Sequence, residues 1–268
     1  MSSAAGVSQS TAETHLAETM VQEKEYTSRL ARHRPGSEGG RQGTLGTQVY
    51  AVLRKLLIEG AFQPGEKLSL RSLAEAMDVS VQPVRDAVAR LIVDEALEVA
   101  PNRAVRVPLM TAAQFSELTA IRLAIEGFAV ETAARERSAA DLQKIRRFDR
   151  AFRRECQTIR PDPERAVRAN QGLHFSAYRA ARMPALMPII EGLWLRIGPV
   201  LNLDMRDSPQ RLQIGAAEAC HGAMVAGLEA RSGARARAAL EDDIHTAAAF
   251  IQSRGVFAAS PASTRPPQ

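Results

Sequence analysis

Three of the chain's five histidines, His174, His221 and His245, fall in its C-terminal half at spacings that could bring them together. His221 and His245 stand twelve residues before and after Gly233. If Gly233 marks the turn between two antiparallel helices, each imidazole lies about 18 Å from it, and the two are level with each other. His174 follows Asn170 by four residues, which puts both on one helix face. Three imidazoles converging inside a bundle make a site for a divalent transition metal that keeps open positions. Taken singly, each histidine reads equally as a hydrogen-bonded partner of its neighbours. A helical metalloenzyme would use such an ion to activate water. No second acid stands at metallohydrolase spacing and no Ser or Cys nucleophile motif is present, so the chain does not read as an enzyme.

A second set lies upstream. Ser80, Gln82 and Arg85 are closely spaced, with Arg71 before them and Arg103 after. A Gln side chain can pair with adenine and an Arg with guanine in the major groove, while Arg71 suits a phosphate. Arg71 or Arg85 alone reads equally as a solvated side chain. As a set on the right turn, they point to double-stranded DNA.

The elements that would position these residues can be read from periodicity. Tyr50, Leu53, Leu57 and Ile58 recur at helical spacing up to Gly60, and Gln63-Pro64-Gly65 makes a turn. A short helix is expected over about 70–77. After the break at Asp78-Val79-Ser80, a third helix is expected to about Asp94, with Ser80 as N-cap and Pro83 in the first turn. Leu97–Val99 and Val105–Val107, joined through Pro101-Asn102-Arg103, read as a β-hairpin. This order over residues 44–110 is the winged helix-turn-helix layout, with the third helix in the major groove and Arg103 at the wing tip. From Thr111 the punctuation gives six helices, about 112–136, 139–158, 163–182, 184–201, 209–230 and 233–254, which imply an antiparallel bundle. The expected fold is therefore mainly α: an N-terminal winged helix-turn-helix with a small β-hairpin, and a C-terminal six-helix antiparallel bundle over 111–254. Residues 1–43 read as a mobile arm and 255–268 as a disordered tail.

Composition narrows the classes. Hydrophobic residues make up 45% of the chain and aromatics 4%, so the cores must be built from Leu, Ile, Val, Ala and Met. The net charge of +5 does not argue for nucleic acid by itself, because residues 44–110 carry eight basic and eight acidic side chains. Only the placement of Arg does. The two cysteines, Cys156 and Cys220, are in no metal or redox spacing, and no signal peptide is evident, which points to the cytoplasm. No run approaches the roughly 18 apolar residues of a membrane span.

The stretch from Tyr50 to Val107 resembles the GntR superfamily of regulators. Gly60, Pro64, Gly65, Leu68, Leu73, Ala74, Val79, Ser80, Pro83, Val84, Arg85, Ala87 and Leu91 stand at the pattern's positions. Val81 and Gln82 depart from its usual Arg and small hydroxyl residue, and Ala104 from the wing Gly, so the resemblance implies an altered operator sequence. Residues 111–254 resemble the FCD ligand-binding domain of the FadR-type branch, through "FSELTAIRLAIEGFAVETAA", "NQGLHFSAYRAA" and "CHGAMVAGLEARSGARARAALEDDIHTAA". Six helices place it with the VanR-like subgroup. That resemblance implies an Asp, His, His, His site for zinc or nickel, assigned here to Asn170, His174, His221 and His245, with neutral Asn170 in place of the Asp. It also implies that Arg122 pairs with the carboxylate of a small organic or sugar acid effector. The alternative for Arg122 is a pairing with Glu126, four residues on. The expected molecule is a homodimeric regulator, in the commoner case a repressor, on near-palindromic operator DNA; the ion itself as the signal is the competing mode.

Overall fold

The computed structural model describes Leu30, residues 43–101, 103–207, 212 and 214–259. Most of the arm expected over 1–43, Asn102 and residues 260–268 lie outside the described residues. The chain divides into two compact units, one containing residues up to Leu56 with Gly65–Pro108, the other Leu57–Pro64 with Leu109 onward.

The first unit contains α1 (Leu45–Ile58, as far as Leu56), β1 (Lys67–Leu68), α2 (Leu70–Met77), α3 (Val81–Val93), β2 (Glu98–Val99) and β3 (Val105–Arg106). The Ser69 side chain accepts from the Ser72 amide and starts α2. Asp78 at φ +57° ends it, and the chain turns directly into α3. Apolar spacing then decides the packing: Leu73, Ala74 and Met77 of α2 and Val84, Ala87, Val88 and Leu91 of α3 are all buried. Behind them the sheet has the order β1-β3-β2, all antiparallel, with Leu68 opposite Val105 and Val99 opposite Val105 on the other side. The hairpin expected from the sequence is present. Lys67–Leu68 adds a third strand, which two residues were too short to announce.

The second unit holds six helices among the described residues: α4 (Ala112–Glu136), α5 (Ala139–Gln157), α6 (Pro163–Arg179), α7 (Leu186–Asp207), α8 (Ala216–Glu229) and α9 (Gly233–Ser253). Their starts are chemically marked. Thr111 with Gln114 and Ser138 with Asp141 form capping boxes for α4 and α5, and Asp162 caps α6 with Pro163 in its first turn. Arg137 donates to the carbonyls of Leu228 and Glu229 at 2.9 Å each, covering orphan acceptors at the end of α8. Gly227 lets α9 approach α8 closely: a Cβ there would stand 2.5 Å from the Ala236 amide nitrogen. This tight hairpin sets His221 of α8 level with the first half of α9.

Leu186–Leu203 of α7 is long and apolar enough to span a membrane by composition, but 56% of that window is buried among the protein's own residues. Residues 255–259 differ from the expected tail. Phe257 packs on Phe115 with ring centroids 5.1 Å apart, and the Ala258 amide donates to Met110 at 3.0 Å.

Candidate functional site

The five residues expected to meet DNA are exposed on the first unit. Ser80 holds the N-cap position of α3, but its side chain makes no capping hydrogen bond, contrary to the expected cap. Its hydroxyl is therefore not used by the helix. Gln82 and Arg85 project from the first turns of α3 and are tied to each other. Arg85 Nη1 donates to Gln82 Oε1 at 3.0 Å, and Gln82 Nε2 donates to Asp86 Oδ1 at 2.8 Å. Arg71 lies in the first turn of α2, and Arg103 in the β2–β3 turn at φ +64°.

In the second unit, His174 of α6 and His221 of α8 come together as expected, with ring centroids 5.2 Å apart. His245 does not join them; it is exposed on α9. The third member is Asp243, two residues earlier, and the ligand atoms of His174, His221 and Asp243 all lie within 4.8 Å of one another. The hairpin arithmetic located the correct level on α9 but not the correct side, since two residues turn a helix by about 200°. Asn170, one turn before His174, is buried at 8% exposure and lines the adjoining cavity.

Glu126 is fully buried and receives Arg122 Nε at 2.7 Å, Arg122 Nη2 at 3.2 Å and Trp194 Nε1 at 3.1 Å. A carboxyl so surrounded is an ionised acceptor. Tyr178 therefore donates its single proton to Glu126. His174 Nδ1, 3.1 Å from the same phenol oxygen, must then be the donor in that contact. Burial pushes the His174 imidazole below its usual range, against the opposing pull of Asp243. Its Nε2 faces Asp243 Oδ2 at 3.3 Å. Burial alone would favour a neutral Asp243, yet the flanking His221 and His174 hold its carboxyl far below the ordinary carboxylate range. His221 is 1% exposed, neither of its ring nitrogens has a hydrogen-bond partner, and Nε2 lies 3.6 Å from Asp243 Oδ1. Two imidazoles and a carboxylate thus converge in one buried place, with both His221 ring nitrogens unpartnered. That donor set fits a divalent cation.

Of the outer contacts, the pairing of Arg122 with Glu126 was one of the two readings of Arg122 from the sequence, whereas the contact of His174 with Tyr178, four residues on, was not read. Both readings of Arg122 meet here: Nε and Nη2 hold Glu126, while Nη1 takes no part and Arg122 lines the cavity. The cavity, of about 30 Å³, also reaches His174, Trp194 and Asp243.

Residues 45–107 match the bacterial regulatory proteins of the gntR family, and residues 117–246 match the FCD domain. The HTH-type transcriptional regulator McbR of Escherichia coli K12 is 33% identical over 168 residues, 63% of this chain and 75% of that protein. The HTH-type regulator YdhC of Bacillus subtilis 168 is 28% identical over 127 residues, 47% of this chain and 56% of that protein. The solved structure of E. coli McbR/YncC superposes with a TM-score of 0.73 at 28% identity, covering 80% of this chain and all of that one. A GntR regulator from Rhodococcus sp. RHA1 shares the fold, with a TM-score of 0.64 at 24% identity over 78% of this chain and 97% of that one.

Proposed function

Since the chain belongs to the gntR family of bacterial regulatory proteins and carries an FCD domain, we propose that it is a DNA-binding transcription factor whose operator affinity is set by a small carboxylate held at a metal in the helical domain. DNA binding and regulation of transcription come with the family, and its members are transcription factors rather than enzymes. The metal, the effector, a cytoplasmic homodimer and membership of the FadR-type branch with its VanR-like subgroup are our reading.

The observation that carries the metal reading is the convergence of His174 Nε2 and Asp243, 3.3 Å apart, with the buried, unpartnered ring nitrogens of His221. His174, His221 and Asp243 would hold the ion, with the Asn170 amide oxygen as a further neutral donor. Two imidazoles with oxygen ligands suit zinc or nickel and leave positions open. The ion would supply a positive centre for a carboxylate. The protein residues do the rest: Tyr178 and Glu126 fix the His174 tautomer, and Arg122 adds a directed positive charge at the cavity.

On the DNA side, Gln82 and Arg85 are the base readers, Ser80 and Arg71 hold phosphates, and Arg103 on the hairpin reaches the neighbouring backbone or groove. The effector changes operator affinity only as far as it binds the DNA-competent and incompetent forms unequally.

The test is metal content and operator binding measured together. Purified chain should carry about one ion per protomer, and His221→Ala should lose it while remaining folded. Stoichiometric metal in that variant would overturn the site. Operator affinity that stays constant as the helical domain is saturated with an acid would overturn the coupling.

A further inference from the structure

The cavity beside the candidate metal site has two chemically different ends. Its polar side chains are Arg122, Asn170, His174, Trp194 and Asp243. The rest of its wall is apolar and includes Phe152, Leu201, Met205, Leu212, Ala217 and Ile244. Phe152, Met205 and Leu212 belong to one buried cluster with Cys156, Ala166, Val167 and Ala169, so this end is continuous with the hydrophobic core. The polar end is already committed: the Trp194 indole donates to Glu126, and His174 and Asp243 face each other. Only the Asn170 amide NH2 and Arg122 Nη1 are left over to serve a ligand's polar groups.

We infer that the effector is a monocarboxylic acid with an apolar body, an alkyl chain or ring, and not a sugar acid. This rests on the metal-anchored reading above and narrows its ligand class. Charge sets the number of carboxylates. Arg122 contributes one positive charge, Glu126 and Asp243 two negative ones, and a divalent ion leaves the site at one net positive. One carboxylate neutralises it; a second would enter a buried site with no cation to meet. The apolar wall sets the body. Each methylene buried there gains about three- to fourfold in affinity. Each hydroxyl carried there without a partner loses about tenfold.

The test is titration calorimetry on the zinc-loaded full chain with acetate, butanoate, hexanoate and gluconate. Hexanoate and gluconate are both six-carbon monocarboxylates and differ by five hydroxyls. Affinity should rise from acetate to hexanoate by about tenfold or more per two methylenes, and hexanoate should exceed gluconate by at least a hundredfold. Gluconate binding as tightly as hexanoate, or a flat alkyl series, would overturn the ligand class and leave the metal anchor standing. Hexanoate binding equally well to metal-stripped protein would overturn the anchor but not the apolar class. No acid binding at all would overturn both.

Discussion

Replacing Tyr178 by Phe separates a metal centre from a buried ion pair. Tyr178 touches no proposed ligand atom directly: it accepts from His174 Nδ1 and donates to Glu126. If His174 binds an ion through Nε2, the phenol oxygen fixes the tautomer that presents that lone pair. Loss of such an outer partner weakens metal binding by about 10–100-fold, or about 1.4–2.8 kcal/mol. The metal-free protein should change less specifically. The buried Nδ1–H loses its acceptor at about 1–3 kcal/mol, while Glu126 keeps its Arg122 and Trp194 donors. Two measurements then suffice: competition with a chelator for zinc affinity, and thermal unfolding with and without zinc. At zinc concentrations near 100 times the wild-type Kd, the ion stabilises by about 2.7 kcal/mol, and a tenfold weaker site would lose about half of that. The variant should therefore melt lower in both states and respond less to zinc. In the competing arrangement, a protonated His174 simply pairs with Asp243 and no ion is involved. Zinc affinity unchanged in Tyr178→Phe would refute the tautomer argument.

Four other predictions follow from named contacts. His245→Ala should keep its metal whereas Asp243→Asn should lose most of it, because His245 is exposed and Asp243 faces both imidazoles; element analysis of the purified variants decides. Arg85→Ala should cost about 1–3 kcal/mol in specific operator binding by fluorescence anisotropy, with little change in stability. Gly198→Ala should destabilise the helical unit by about 1–3 kcal/mol in denaturant unfolding, since its Cβ would stand 2.7 Å from the Leu57 carbonyl oxygen and 2.8 Å from that of Ile58. Asn170→Asp should tighten metal binding and weaken acetate binding on the loaded chain; calorimetry showing both to strengthen would contradict the charge count.

The helices were legible because their signals are local. Ser138, Asp162 with Pro163, and Ser232-Gly233 stand at helix starts, and the expected α4 agrees with Ala112–Glu136. Ala87, Val88 and Leu91 recur at helical spacing in the sequence, and they are buried in the first unit. What failed was angular position. A count along two antiparallel helices gives the height of a residue, while its azimuth depends on how the helices roll against each other. Here the close contact of Gly227 with Ala236 fixes that roll and turns Asp243 inward. The third strand was missed because its partner is distant in sequence, and the ordered residues 255–259 because their anchor, Phe115, lies at the other end of the domain.

The substitutions at the candidate site make more sense together than singly. The resemblance that suggested a metal implies a carboxylate at position 170 and an imidazole on the last helix. This chain has a neutral amide at 170, and the last helix offers the carboxylate of Asp243 instead. On the metal reading, the site would keep one acidic ligand, supplied by a different helix. Keeping both acids would bring the sum with Arg122, Glu126 and a divalent ion to zero, and an incoming carboxylate would then leave an uncompensated negative charge in a buried place. Losing both would leave two imidazoles and no anionic ligand to favour the ion over water. With one acid, the site without metal is net negative and disfavours an anionic ligand, and with metal it is net positive and favours one. Binding of the ion and of the acid are then coupled by electrostatics alone, and each must raise the affinity for the other by the same factor.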